Sequence, residues 1–174
     1  MKDSKVVLIT GAAKRIGASI ARTFHANGYR VLIHANNSKD EAIELCFELN
    51  KERVSSANAL FADFNCHEET LKIATDALNY FGRIDVLINN AGIGYLMRPF
   101  LEVPKAEWQH VLDVNLTGTF LCSQEAAKHM IKAGNGGRII NIASQAAKSG
   151  FPHLAAYVAT KHGLVGLTRS NACE

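Results

Sequence analysis

Short apolar runs rich in β-branched residues alternate along this chain with longer segments of helical character. The runs predict strands near Lys5–Ile9, Arg30–His34, Ser56–Ala62, Ile84–Ile88 and Arg138–Ala143. The intervening and following segments predict helices near Arg15–Asn27, Lys39–Lys51, His67–Phe81, Pro104–Ala133 and Leu154–Cys173. Several strands are apolar at nearly every position, as in V-V-L-I at 6–9 and R-I-I-N-I at 138–142, which is the pattern of strands buried on both faces. Strand followed by helix throughout predicts an α/β fold, a doubly wound parallel sheet covered by helices on both sides in three layers. Gly28, Gly82 and the cluster Gly134-Asn-Gly-Gly137 mark helix ends. No internal repeat, low-complexity tract or linker-like shift divides the chain.

Composition narrows this to one domain over residues 1–174, with 48% hydrophobic residues and three prolines. The net charge of +3 is spread without a basic run or interleaved aromatics, so neither nucleic acid nor a membrane surface is indicated as a partner. The first apolar run, Val6 to Ile9, is far shorter than a signal-peptide core or the ~20 residues of a membrane helix. Cys46, Cys66, Cys122 and Cys173 lack paired metal-ligand spacing, which predicts reduced thiols in the cytoplasm. The seven histidines, among them His153 in a surface turn after Pro152, show no ligand spacing either, and no metal is expected.

Two segments carry chemistry. In S-Q-A-A-K-S-G-F-P-H-L-A-A-Y-V-A-T-K at 144–161, Tyr157 and Lys161 stand four apart and share one helix face, where the ammonium favours the phenolate and makes the tyrosine a usable proton donor or acceptor. Ser144 follows the fifth predicted strand, at the carboxyl end where open α/β sheets place their chemistry, and its hydroxyl can hold a reacting oxygen. The second segment is T-G-A-A-K-R-I-G at 10–17, directly after the first strand. There Gly11 and Gly17 admit a pyrophosphate to the backbone, and the helix amino end, with Ile16, faces the phosphates. At the end of the second strand, His34-Ala-Asn-Asn-Ser38 has no carboxylate to bind ribose hydroxyls, whereas Lys14, Arg15 and Ser38 suit a ribose phosphate. NADP(H) is therefore expected over NAD(H).

Taken together these motifs resemble the short-chain dehydrogenase/reductase family, over the chain from Lys5 to its last residue. The further motifs are Asp63 after the third strand, Asn89-Asn-Ala-Gly92 after the fourth, and Asn115 within V-N-L-T-G. The resemblance implies a Rossmann-type NAD(P)-binding domain and reversible hydride transfer between a ketone or other carbonyl and a secondary alcohol, a small-molecule substrate. It implies Asn115, Ser144, Tyr157 and Lys161 as catalytic residues. It also implies that Asp63 meets the adenine, that Asn89 to Gly92 support the fourth strand beside the cofactor, and that Lys161 grips the nicotinamide ribose, with Phe64, Asn89, Ala91, Gly92 and Tyr157 among the cofactor-binding residues. Asn115 would hold a water that relays protons to Lys161. A homodimer or homotetramer through helices 104–133 and 154–173 is implied as well, although the stripes Trp108, Val111, Leu112 and Leu164, Val165, Leu167 equally suit a core.

Departures from the family pattern bear on the reaction. Arg15 stands where most members carry glycine, and its turn is similar to the pteridine reductase branch. That branch usually has serine at the position of Gly92, aspartate at that of Ser144 and arginine at that of Asn37. Gly92 and Ser144 match alcohol dehydrogenases and carbonyl reductases instead. Family members also continue into a sixth strand, a substrate lid and a seventh strand, whereas this chain ends at Glu174, so the sheet is expected to be incomplete and the fifth strand, or whichever strand loses its neighbour, an exposed apolar edge. Three readings follow: a carbonyl reductase or alcohol dehydrogenase, a pteridine reductase, and a non-catalytic nucleotide-binding or oligomerising form.

Overall fold

Three of the four residues of β1 (Val6–Ile9) are β-branched, and every one is buried, because this strand forms the middle of the sheet. In the computed structural model, which describes residues 4–94 and 97–174, β1 is followed by α1 (Arg15–Ala26), β2 (Arg30–Ala35), α2 (Lys39–Glu52), β3 (Ala57–Phe61), α3 (His67–Phe81) and β4 (Val86–Asn89). After a 3-10 turn at Phe100–Glu102 come α4 (Lys105–Leu112), α5 (Gly118–Ala133), β5 (Arg138–Asn141), a second 3-10 turn (Gln145–Ala147) and α6 (Ala155–Asn171). All described strand pairs are parallel, in the order β3-β2-β1-β4-β5. Leu8 lies between Leu32 and Leu87, and Ile9 between Ile33 and Ile88.

Because side chains alternate along a strand, each strand feeds two cores. Val6 and Leu8 point with Leu32 and Leu87 toward Ile73, Ala77, Cys122 and Ala126 of α3 and α5. Val7 and Ile9 point with Val31 and Ile33 toward Ala21, Leu45 and Leu49 of α1 and α2. This is the doubly wound, three-layer sheet that the alternation of elements predicts. The chain builds outward from β1 through β2 to β3, then returns to the other side of β1 for β4. Where the strand order reverses, the connections leave in opposite directions and open a crevice at the carboxyl ends of β1 and β4.

Two expectations need correction. The expected burial of strands on both faces holds for β1 and β4 but not for β5, where Arg138 and Ile140 are exposed; among the described residues β5 pairs with β4 alone, and only its Ile139 face meets the α3/α5 core. The single helix expected over Pro104–Ala133 is a continuous helical stretch that changes type once, with one π-helical turn, Asp113–Thr117, between α4 and α5. Other boundaries match or differ by at most two residues. Of the apolar stripes on these helices, Val111 and Leu164 are fully buried, and Trp108, Leu112, Val165 and Leu167 are half-buried.

Candidate active site

The turn after β1 is held from three sides. Gly11 has a φ of +61°, and a Cβ there would lie 2.8 Å from the Ala91 Cα, so only glycine fits. A Cβ on Gly17 would lie 2.4 Å from the Gly11 carbonyl oxygen. The Thr10 hydroxyl accepts from the backbone N–H groups of Asn90 and Ala91, each at 3.0 Å, and the Asn90 amide donates to the carbonyls of Thr10 (3.0 Å) and Gly11 (2.9 Å). From β2, the buried His34 accepts the Gly11 N–H at its Nδ1 (3.2 Å), and its Nε2 lies 3.0 Å from the Ala62 carbonyl, to which it donates. Burial pushes this histidine down to about 4, so the ring is neutral, and it stacks on Phe64 with centroids 4.7 Å apart.

These contacts frame a cleft of about 830 Å³ across the carboxyl ends of the first four strands. Of the expected cofactor residues, Gly11, Lys14, Arg15, Ile16, Gly17, Ser38, Asp63, Phe64, Ala91, Gly92 and Tyr157 all line it. Arg15 is exposed and has a φ of +52°, the left-handed conformation in which glycine is the comfortable residue. Lys14 forms an ion pair with Glu41 in the first turn of α2. Asp63 accepts from the Asn65 backbone N–H (2.9 Å) and side-chain amide (2.8 Å), and these bonds hold its carboxyl below the usual range.

Asn89, Asn115, Ser144 and Lys161 do not line the cleft. Asn89 is turned inward: its buried amide donates to the Ser123 hydroxyl and the Asn141 side chain, both at 2.8 Å, so it ties β4 to α5 and β5. Asn115 sits in the π turn, where its Oδ1 accepts from the Ile93 N–H (2.7 Å) and its Nδ2 donates to the Ile93 carbonyl (2.9 Å). Lys161 is 5% exposed; its ammonium donates to the Ile142 carbonyl at 3.0 Å and stands 5.7 Å from the centre of the Tyr157 ring. Burial lowers its pKa. A Cβ on Gly92 would lie 3.7 Å from that ammonium and 3.3 Å from Asn115 Oδ1, so this residue of the cleft wall lies directly against both. Ser144 follows β5 and caps the Gln145–Ala147 turn, its Oγ accepting from the Ala146 N–H at 3.1 Å while its own proton has no acceptor among the described residues. That turn packs against α6, which carries Tyr157 and Lys161.

Residues 5–174 match the sequence profile of the short chain dehydrogenase family. The chain belongs to that family. Among its relatives, a 3-oxoacyl-[acyl-carrier-protein] reductase FabG of Staphylococcus aureus is 39% identical over 177 residues, covering all of this chain and 70% of that protein. D-threitol dehydrogenase of Mycolicibacterium smegmatis is 40% identical over 99% of this chain and 65% of its own length. In crystal structures, acetoin dehydrogenase from Enterobacter cloacae superposes with a TM-score of 0.92 at 34% identity, over 98% of this chain and 69% of that one. An actinorhodin polyketide ketoreductase with NADPH gives 0.86 at 35% identity, over 98% and 64%. The chain thus spans about two thirds of the length of these short-chain dehydrogenases.

Sequence reasoning gave no site role to several cleft residues: His34, Asn36, Asn65 and His110. Asn90 was placed beside the cofactor within the Asn-Asn-Ala-Gly motif, and it lines the cleft. His110 was out of reach, because it enters from α4, where its Nδ1 lies 2.5 Å from Asn65 Oδ1, and no spacing along the chain announces that meeting. A second constellation looks catalytic but is not built for it. His25 Nε2 lies 2.7 Å from the Ser56 hydroxyl and its Nδ1 3.5 Å from Glu52, yet Ser56 is buried and gives its proton to the Arg53 carbonyl. No three His, Cys, Asp or Glu side chains cluster as metal ligands among the described residues, and no described helix is long and apolar enough to cross a membrane. His153 is exposed in its turn at a φ of +65°.

Proposed function

We propose that this chain forms the NADP(H)-binding and proton-transferring part of a cytoplasmic oxidoreductase that interconverts a ketone and a secondary alcohol. The observation that carries this reading is the meeting of Tyr157 with the glycine turn in one cleft, with the buried Lys161 beneath the tyrosine ring. The names of the relatives share this chemistry, since a 3-oxoacyl group, acetoin and threitol each hold a carbonyl or a secondary alcohol.

The nicotinamide cofactor would supply the hydride. The fit to it rests on the glycine positions, where a side chain would collide with Ala91 (from Gly11) or with the turn itself (from Gly17), and on the donors Lys14, Arg15 and Ser38, which suit a ribose phosphate. Asp63 and Phe64 would border its adenine. In the reducing direction Tyr157 donates its phenolic proton to the substrate oxygen. Ser144 donates its free hydroxyl proton to the same oxygen and stabilises charge as it develops there. The Lys161 ammonium favours the phenolate that remains, and burial eases its own proton release toward that oxygen. Asn115 fixes the backbone of Ile93 and so the shape of the wall beside Lys161.

Tyr157→Phe should reduce turnover of ketone substrates by at least about a thousandfold while NADPH affinity stays within about twofold, because only the acid is removed. Steady-state kinetics with fluorescence titration of NADPH checks this, and near-normal turnover would reject the assignment. Arg15 favours a second reading, pteridine reduction, and parallel assays with dihydrobiopterin and a panel of ketones separate the two. NADPH binding without turnover of either class would instead favour a non-catalytic nucleotide-binding role. Self-association through α4, α5 and α6 belongs to the same proposal and is read by light scattering.

A further inference from the structure

The first turn of α2 carries the sequence of a capping box, Ser38-Lys39-Asp40-Glu41, in which the serine hydroxyl and the glutamate would ordinarily satisfy one another's backbone N–H groups. The box is not made. Ser38 makes no side-chain cap bond and lines the cleft. Glu41 reaches across to the turn before α1 and binds the Lys14 ammonium. Its carboxyl is held below the usual range first by the hydrogen bond from Lys14 and next by its own backbone N–H. Lys14, which lines the same cleft as Ser38 from within the glycine turn, therefore comes to any ligand with its charge already matched. The acid that is missing from the end of β2 is supplied from the next element, behind the lysine.

We propose that Glu41 sets the nucleotide preference of this cleft by competing with the ribose phosphate of NADP(H) for Lys14. This rests on the reading of the cleft as a dinucleotide site. Two states of Lys14 follow: paired with Glu41 when the ribose carries a hydroxyl, and shared with or surrendered to the phosphate when it carries one. In the second state the Glu41 carboxylate is left near a dianion, and the repulsion weakens NADP(H) without touching NAD(H). The chain is then less selective for the phosphorylated cofactor than Lys14, Arg15 and Ser38 alone would make it.

The test compares Glu41→Gln with the native chain by fluorescence titration of NADPH and NADH at low and at high salt. Glu41→Gln should tighten NADPH about five- to tenfold at low salt, less at high salt, and leave NADH within about twofold. Glu48→Gln, which removes an acid two turns along α2 that pairs with Arg22, should leave the ratio of the two affinities unchanged. In a Lys14→Met background the Glu41 substitution should lose most of its effect, because the shared partner is gone. Equal changes for both nucleotides, no change, or weaker NADPH binding in Glu41→Gln would overturn the competition while leaving the dinucleotide site in place. Failure of the native chain to bind either nucleotide would overturn both.

Discussion

Both ring nitrogens of His34 are committed, Nδ1 accepting from Gly11 and Nε2 donating to Ala62, and an imidazolium could serve only the second bond. Its pKa is about 4 when folded, against an ordinary 6.5, so between these values the unfolded chain binds the proton more readily. Stability from this residue is therefore complete above pH 6.5 and is lost as pH falls toward 4, a loss on the order of 3 kcal/mol. Urea unfolding of the native chain and of His34→Leu at several pH values isolates it. The native chain should lose more stability between pH 7 and 4.5 than the variant, and parallel curves would show that His34 is not the group responsible. The variant should also be weaker at pH 7, because Gly11 N–H and the Ala62 carbonyl lose their partner. Motif reading named His34 only as the end of a strand. Its role depends on which way β2 turns the ring, and a three-dimensional neighbour such as Phe64, thirty residues on, leaves no periodicity between them.

At the scale of elements, the strands were readable because burial on both faces forces near-continuous apolar runs, and the helices because glycine ends several of them. The glycine turn and the Tyr-Lys pair were readable for a related reason: each is a local arrangement, fixed by spacing within one turn. The π turn at Asp113–Thr117 was not, since an extra residue in a helical turn leaves the surrounding residue types unchanged. That turn has a consequence for the site. It carries Asn115, whose amide meets both backbone groups of Ile93 in the loop after β4, so a helix on one face of the sheet fixes the wall of the cleft. Asn115→Ala leaves that N–H and carbonyl without the partner and should lower stability by about 2 kcal/mol. It should also reduce kcat more than nucleotide affinity, because the wall beside Lys161 loosens while the glycine turn is untouched. Unfolding midpoints and kinetics on one preparation check both, and a variant of native stability would mean the loop holds itself.

Across the whole molecule the cleft is assembled from Gly11 after β1, His34 on β2, Ala62 after β3, Asn90 after β4 and Tyr157 on α6. No two consecutive elements could build it, and its parts lie on both sides of the central strand. A dinucleotide bound there would bridge elements that unfolding separates, so its binding energy adds to the cooperative stability of the sheet rather than to one loop. A ligand at 100 times its dissociation constant contributes roughly 2.7 kcal/mol, which for a chain of this length raises the melting temperature by about 5–10 °C. The 174-residue chain should show that rise with NADPH and a smaller one with NADH at equal concentration. The difference between the two ligands should narrow as salt is added, because it resides in the charges around the ribose phosphate rather than in the glycine turn, which both ligands use. A rise equal for both nucleotides at low salt would place the binding energy in the shared parts of the ligand and remove the basis for a phosphate preference.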